Sequence, residues 1–270
     1  MSAKIAKKSC SQYDVETILD VDTSECGVND SRKVWILPKD SEKRNPSNNI
    51  VSVLQKYWKR NSECTTRSYI DMICLDVLKS DLPTGKAQLS CFGNVKLQFT
   101  NNNNGLTFSG LADYAWGYGN EIGSETIIIE AKKVGEQLDL WQLVAYVGIL
   151  QKNRQLKKKI ISTCYGIVTD SILWIFVKID ESGKCWSSTI KDITNNRTEI
   201  WTWVNYILQN ASPASTPSAL VHNITKENFH VIVERFQTAD SDEDEEGDED
   251  EFDIEAATER FDSALRIGNA

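Results

Sequence analysis

An aspartate, a glutamate and a lysine have the types and spacing that could do chemistry in this chain. Glu130 and Lys132 close the run "ETIIIEAKK" at 125–133. Side chains alternate faces along a strand, so Ile128, Glu130 and Lys132 share one side and Ile127, Ile129 and Ala131 the other. A carboxylate and an amine thus project together from a backbone that a sheet would hold still. Upstream, Asp113 sits among apolar residues in "GLADYAWGYG". An antiparallel hairpin from 106 to 132 would bring Asp113 beside Glu130. Two carboxylates plus the Ala131 carbonyl make a hard oxygen site suited to Mg2+, or Mn2+, with several waters retained. Lys132 would then orient a metal-bound water or offset charge on a phosphate under attack. A glutamate and a lysine alone would equally describe a solvated strand end. The aspartate is what turns the pair into a candidate site.

Those residues need elements to position them. "SECTTRSYIDMICLDVLKS" places Tyr69, Met72, Ile73, Val77 and Leu78 at helical spacing, with Ser62 or Thr65 as N-cap. "QLSCFGNVKLQFT" and "GLTFSGLADYAWGYG" alternate like strands around "NNNNG", whose residues tolerate positive φ. The isoleucine strand follows, then a helix in "EQLDLWQLVAYVGILQKNRQ", two strands around Thr169–Ser171, and a last helix in "RTEIWTWVNYILQN". The order is α-β-β-β-α-β-β-α. Residues 1–49 read as a polar, irregular arm with one short strand at "KVWILP". The main domain spans 50–209, a linker and short extension 210–238, and an acidic tail 239–270, where "EFDIEAATERFDSALRIG" has helical periodicity.

On these residues the chain resembles the PD-(D/E)XK phosphodiesterase superfamily. Asp113, Glu130 and Lys132 match its D-x(16)-E-A-K pattern on neighbouring strands, with Ala112 where the family usually has proline. Gln142 and Tyr146, in "WQLVAYVGIL", are similar to the Q-x-x-x-Y pair of RecB-type members, and i, i+4 spacing puts both on one helical face. The combination with "YGIVTD" is particularly similar to uncharacterised fungal members, some linked to mobile elements or Crinkler-type effectors, although no Crinkler header motif is evident at the N-terminus. The resemblance covers roughly residues 62–180. It implies an α/β, restriction-endonuclease-like αβββαβ core with a mixed central sheet flanked by helices. It also implies a Mg2+- or Mn2+-dependent nuclease acting on DNA foremost. Asp113, Glu130 and Ala131 would hold the metal, and Glu63 matches the first-helix acid that joins many such sites. Gln142 and Tyr146 would brace the site or touch the strand. The rival expectation is a catalytically silent nucleic-acid-binding or protein-interaction module on the same fold.

The remaining features bound the function. Eleven of the 39 acids lie between Asp240 and Asp253, leaving 28 acids against 30 bases elsewhere, so the body is near neutral and the tail strongly acidic. Such a tail reads as disordered, and as a docking strip for a basic protein partner or a mimic of nucleic acid. Lys152, Arg154, Lys157, Lys158 and Lys159 follow the second long helix; they complement its dipole or hold phosphates. Trp141, Trp174, Trp201 and Trp203 read as core, whereas Trp116 and Tyr118 are candidates for a mouth near substrate. Seven scattered cysteines without a CxxC pair suit reduced thiols, and no apolar run suits a membrane. The expected location is therefore intracellular, nuclear or cytoplasmic, which leaves the sequons at Asn196, Asn210 and Asn223 without meaning. Two histidines, His222 and His230, provide no zinc site and argue against a Ser-His-Asp triad.

Overall fold

The computed structural model describes residues 4–5, 10–26, 34–57, 59, 62–79, 89–118, 125–159 and 161–214. The chain divides into two units, 1–239 and 240–270, and every described residue belongs to the first. The acidic tail, its helical segment, His222 and His230 lie outside the described residues.

In chain order the elements are β1 (Lys4–Ile5), α1 (Gln12–Leu19), β2 (Asp22–Glu25), α2 (Asn48–Tyr57), α3 (Glu63–Lys79), β3 (Leu89–Thr100) and β4 (Thr107–Tyr118). Then come β5 (Glu125–Ala131), α4 (Leu140–Leu156), β6 (Cys164–Thr169), β7 (Leu173–Ile179), β8 (Lys184–Ser187), β9 (Lys191–Asp192) and α5 (Arg197–Ala214). The strands form one mixed sheet in the order β1-β4-β5-β6-β7-β8-β2, with β3 added on β4 and β9 on β7. The β5–β6 pair is parallel and joined through α4, while β3–β4, β4–β5 and β6–β7 are antiparallel. The molecule is thus an α/β structure with an open mixed sheet flanked by helices.

Two apolar layers hold the helices to the sheet. On one face α1 and α4 bring Val15, Leu19, Leu143 and Val147 against Ile128 and Val168. On the other, α3 and α5 bring Ile70, Ile73, Trp203 and Val204 against Ile127, Ile129 and Phe176. Both faces of β5 are covered, which is why its seven residues are all buried and why its apolar run shows no alternation. Each of its three isoleucines contributes about 2–3 kcal/mol of burial, an upper estimate. Trp174, Trp201 and Trp203 are core as expected, with Trp203 stacked on Phe176 at 5.1 Å, and Trp141 is half-buried against the first layer.

The N-terminal arm departs from expectation. It is not irregular: Ser11 and Asp14 form a capping box that starts α1, whose Val15, Ile18 and Leu19 are buried. β2 then pairs in parallel with β8. "KVWILP" is no strand; Val34 makes one isolated bridge to Ser187, and Trp35 inserts among Tyr165, Trp203 and Tyr206. At the other end α5 runs to Ala214, past the expected linker boundary at 210.

Candidate functional site

The site forms where β4 and β5 end their pairing. The antiparallel register runs from Trp116↔Ile127 to Tyr114↔Ile129, so the next pair along is Asp113 and Glu130. There the ladder gives way to a side chain: the Ala131 N–H donates to Asp113 Oδ2 at 2.6 Å. β3 and β4 also change face at this point. Phe108 and Ala112 pack on the α4 side, but Tyr114, Trp116 and Tyr118 pack on the α3/α5 side. Beside Asp113, Asn94 of β3 has φ 52°, which an asparagine tolerates better than most residues. Asp113 therefore sits on a pivot in the strand, within reach of both β5 and α3.

Glu130 is 5% exposed. Its Oε1 accepts from Lys132 Nζ at 2.8 Å and from Gln142 Nε2 at 3.0 Å, and Oε2 has no hydrogen-bond partner although shielded from solvent. Lys132 Nζ also donates to Gln142 Oε1 at 2.9 Å, and Gln142 Nε2 donates to the Tyr146 hydroxyl at 3.0 Å. Gln142 lies in the first turn of α4, begun by Asp139 as N-cap, whose Oδ1 accepts the Gln142 N–H at 2.9 Å. Tyr146 lies one turn on, above Gly110 of β4, where an added Cβ would stand 2.2 Å from the ring. The Lys132 backbone is fixed from two sides. Its N–H donates to Thr169 O at 2.8 Å, and its carbonyl accepts from Thr66 Oγ1 at 2.9 Å.

Charge and burial oppose one another here. Burial, then the nearby Asp113 charge, pushes Glu130 up to about 7 despite its ion pair with Lys132. Burial likewise raises Asp113, against the pull of the Ala131 N–H and of Arg67. Burial works against the Lys132 ammonium, but the hydrogen bond and charge of Glu130 outweigh it and raise its pKa. Lys132 is thus a fixed cation and donor near neutral pH, not a base.

Five of the residues expected from sequence come together: Asp113, Glu130, Lys132, Gln142 and Tyr146. Glu63 opens α3, where Ser62 is the cap that receives the Thr65 N–H at 3.2 Å, but its carboxylate engages Arg67 rather than the other acids. Arg67 is the residue that sequence reasoning missed. Its Nη2 donates to both Asp113 Oδ1 and Glu63 Oε1. The signal was available, since Glu63 and Arg67 are an i, i+4 pair on a helix already expected.

Two expectations fail. The basic cluster does not line the site. Lys152 and Arg154 lie roughly 15–18 Å past Gln142 along α4, and Lys157, Lys158 and Lys159 follow the end of that helix at Leu156. Arg154 is 1% exposed and donates to the carbonyls of Glu125 and Ile161, and Lys152 pairs with Asp20. Trp116 and Tyr118 form no mouth. Both are buried, because the change of face at Asp113 turns them into the second apolar layer. A cavity of about 610 Å³ beside the start of α5, lined by Lys39, Ser41, Lys43 and Arg197 among others, contains none of the expected site residues.

A hard divalent ion fits the donor set. Asp113 and Glu130 stand at neighbouring positions where the β4–β5 register ends, Ala131 directly follows Glu130 in the chain, and Glu130 Oε2 is a shielded acceptor without a hydrogen-bond partner. Two carboxylates suit an ion that keeps waters and takes phosphate oxygens. Among the described residues no group of three or more His, Cys, Asp or Glu is gathered as a metal cage. No helix of the described residues is long and apolar enough to cross a membrane. No protein-family model matches the chain, and no curated protein is detectably similar to it.

Proposed function

We propose that the chain is a divalent-metal-dependent phosphodiesterase that hydrolyses nucleic acid, DNA foremost, on a restriction-endonuclease-like core. The observation that carries this reading is Asp113 opposite Glu130, with Lys132 and Gln142 converging on one Glu130 oxygen. Asp113, Glu130 and the Ala131 carbonyl would hold Mg2+ or Mn2+. Such an ion lowers the pKa of the attacking water and offsets charge developing on the phosphate. The chain's own residues supply the rest. Glu130 would serve the ion as an anionic ligand. Lys132, held as an ammonium, stabilises an anionic oxygen or orients water by donation. Gln142 fixes Glu130 and Lys132 relative to each other, and Tyr146 fixes Gln142.

The test is cleavage of plasmid and single-stranded DNA by purified protein with Mg2+ or Mn2+. Asp113→Ala and Lys132→Ala are each expected to lower the rate by at least about 100-fold. Cleavage that survives both substitutions would sink the assignment. DNA binding by the wild type without cleavage would favour the silent module.

A further inference from the structure

Arg67 occupies one oxygen of Asp113, a carboxylate that a divalent ion at this site would need. Its Nη2 donates to Asp113 Oδ1 and, at 2.7 Å, to Glu63 Oε1; its Nη1 reaches Asn94 Oδ1 at 3.5 Å. The guanidinium carbon lies 5.9 Å from the centre of the Tyr114 ring. Nε is shielded from solvent and has no hydrogen-bond partner. These partners are side-chain oxygens, not fixed main-chain carbonyls. A cation held in this way can leave without breaking the backbone network of the fold.

The Asp113 side chain is 12% exposed, so a positive neighbour favours its charged form. Arg67 supplies that neighbour. Asp113 Oδ2 already accepts the Ala131 N–H, so the oxygen under Arg67 is the one with fewer main-chain demands on it. A divalent ion on this carboxylate would meet the guanidinium at close range, where like charges repel strongly. The two cations are therefore alternatives. Glu63 offers Arg67 a second position: the pair lies i, i+4 on α3, the Glu63 side chain is 47% exposed, and the contact needs nothing from Asp113.

We infer that Arg67 is the resident cation of the site, holding Asp113 in the metal-free protein and falling back on Glu63 alone when a divalent ion enters. This rests on the phosphodiesterase reading of Asp113 and Glu130. It also reassigns Glu63, from a metal ligand to the carboxylate that retains Arg67.

The experiment measures Mn2+ binding by electron paramagnetic resonance on the full chain without nucleic acid. It compares wild type, Arg67→Ala, Arg67→Gln, Asp113→Asn, Glu63→Gln and the Arg67→Ala/Glu63→Gln double variant, each checked for wild-type circular dichroism. Both Arg67 variants are expected to bind Mn2+ about tenfold more tightly, and Asp113→Asn to lose binding. Glu63→Gln alone is expected to weaken binding about threefold, and to have no effect once Arg67 is gone. Unchanged or weaker binding in both Arg67 variants, with Asp113→Asn still deficient, overturns the inference and leaves the metal reading standing. Mn2+ binding that Asp113→Asn does not reduce overturns the reading of the site, and the inference with it. A Glu63→Gln loss that persists without Arg67 makes Glu63 a ligand and overturns its reassignment.

Discussion

The two ends of β5 each bury a glutamate beside cationic side chains, yet they are built differently. At the start of the strand, Glu125 is 3% exposed, and Arg154 donates to its backbone carbonyl and to that of Ile161. Those main-chain acceptors do not titrate. At the far end, Lys132 and Arg67 are held by the side-chain carboxylates of Glu130, Asp113 and Glu63, which can change partner. An arginine on carbonyls ties α4 to the sheet; an arginine on carboxylates holds a charge in readiness. The same residue type serves structure at one end and, on the reading above, chemistry at the other.

The largest way to break this contrast is Arg154→Leu. It removes the Arg154 donor from a buried and a part-buried carbonyl and is expected to cost about 3–5 kcal/mol, read as a lower denaturant midpoint. Arg67→Ala, by comparison, should cost about 1 kcal/mol, since its site is partly solvated. Equal losses from the two would erase the distinction.

Next in size is Gly110→Ala. The new methyl would collide with the Tyr146 ring, costing about 2 kcal/mol by overpacking and lowering DNA cleavage about tenfold by displacing the brace on Gln142. Gly166→Ala, under Val147 and Leu143 on the same helix, should match the stability loss but spare cleavage by folded protein. If both variants impair cleavage alike, Tyr146 has no special part in the site.

A smaller effect is expected at Glu130. Its folded pKa, about 7, lies above its ordinary 4.5, so the folded protein keeps a proton that the unfolded chain has released between those values. That contribution to metal-free stability is full below pH 4.5 and is lost as pH rises through 7. Glu130→Gln should therefore raise the melting temperature at pH 8 by about 3 °C in chelator, and by nothing at pH 5. A gain of the same size at both pH values would mean that charge burial is not the cause. Smallest is Tyr146→Phe, which removes one acceptor from Gln142 and should cost about 0.5–1.5 kcal/mol with a few-fold slower cleavage.

Much of this end of β5 was legible before the structure. The antiparallel hairpin expected over 106–132 brought Asp113 beside Glu130, and helical spacing placed Gln142 and Tyr146 on one face. Other features were not legible, for physical reasons. α1 has eight residues and β2 reads "DTSE"; neither carries an apolar period long enough to see, and β2 acquires its meaning from a partner strand far along the chain. Trp116 and Tyr118 looked like a mouth because they lie just past Asp113 in the chain, and the change of face at that point, opposite Asn94 with its positive φ, leaves no mark in the residue pattern. The lysine-rich run looked like a phosphate patch because charge in sequence does not show that Arg154 faces two carbonyls. Arg67 was overlooked because its second partner, Asp113, comes from another element.

The pairing of β2 with β8 also sets a demand on how the molecule folds. Glu25 and Lys184 meet across the ladder although they are 159 residues apart. Closing so long a loop carries an entropy cost that only the finished sheet repays. This seam therefore joins late, and its high contact order slows the last step of folding. On a ribosome the helix Gln12–Leu19 would wait, its apolar side uncovered, until α4 and the β7–β8 hairpin had emerged to receive it. A chaperone acting early on this protein would be expected to find that helix first.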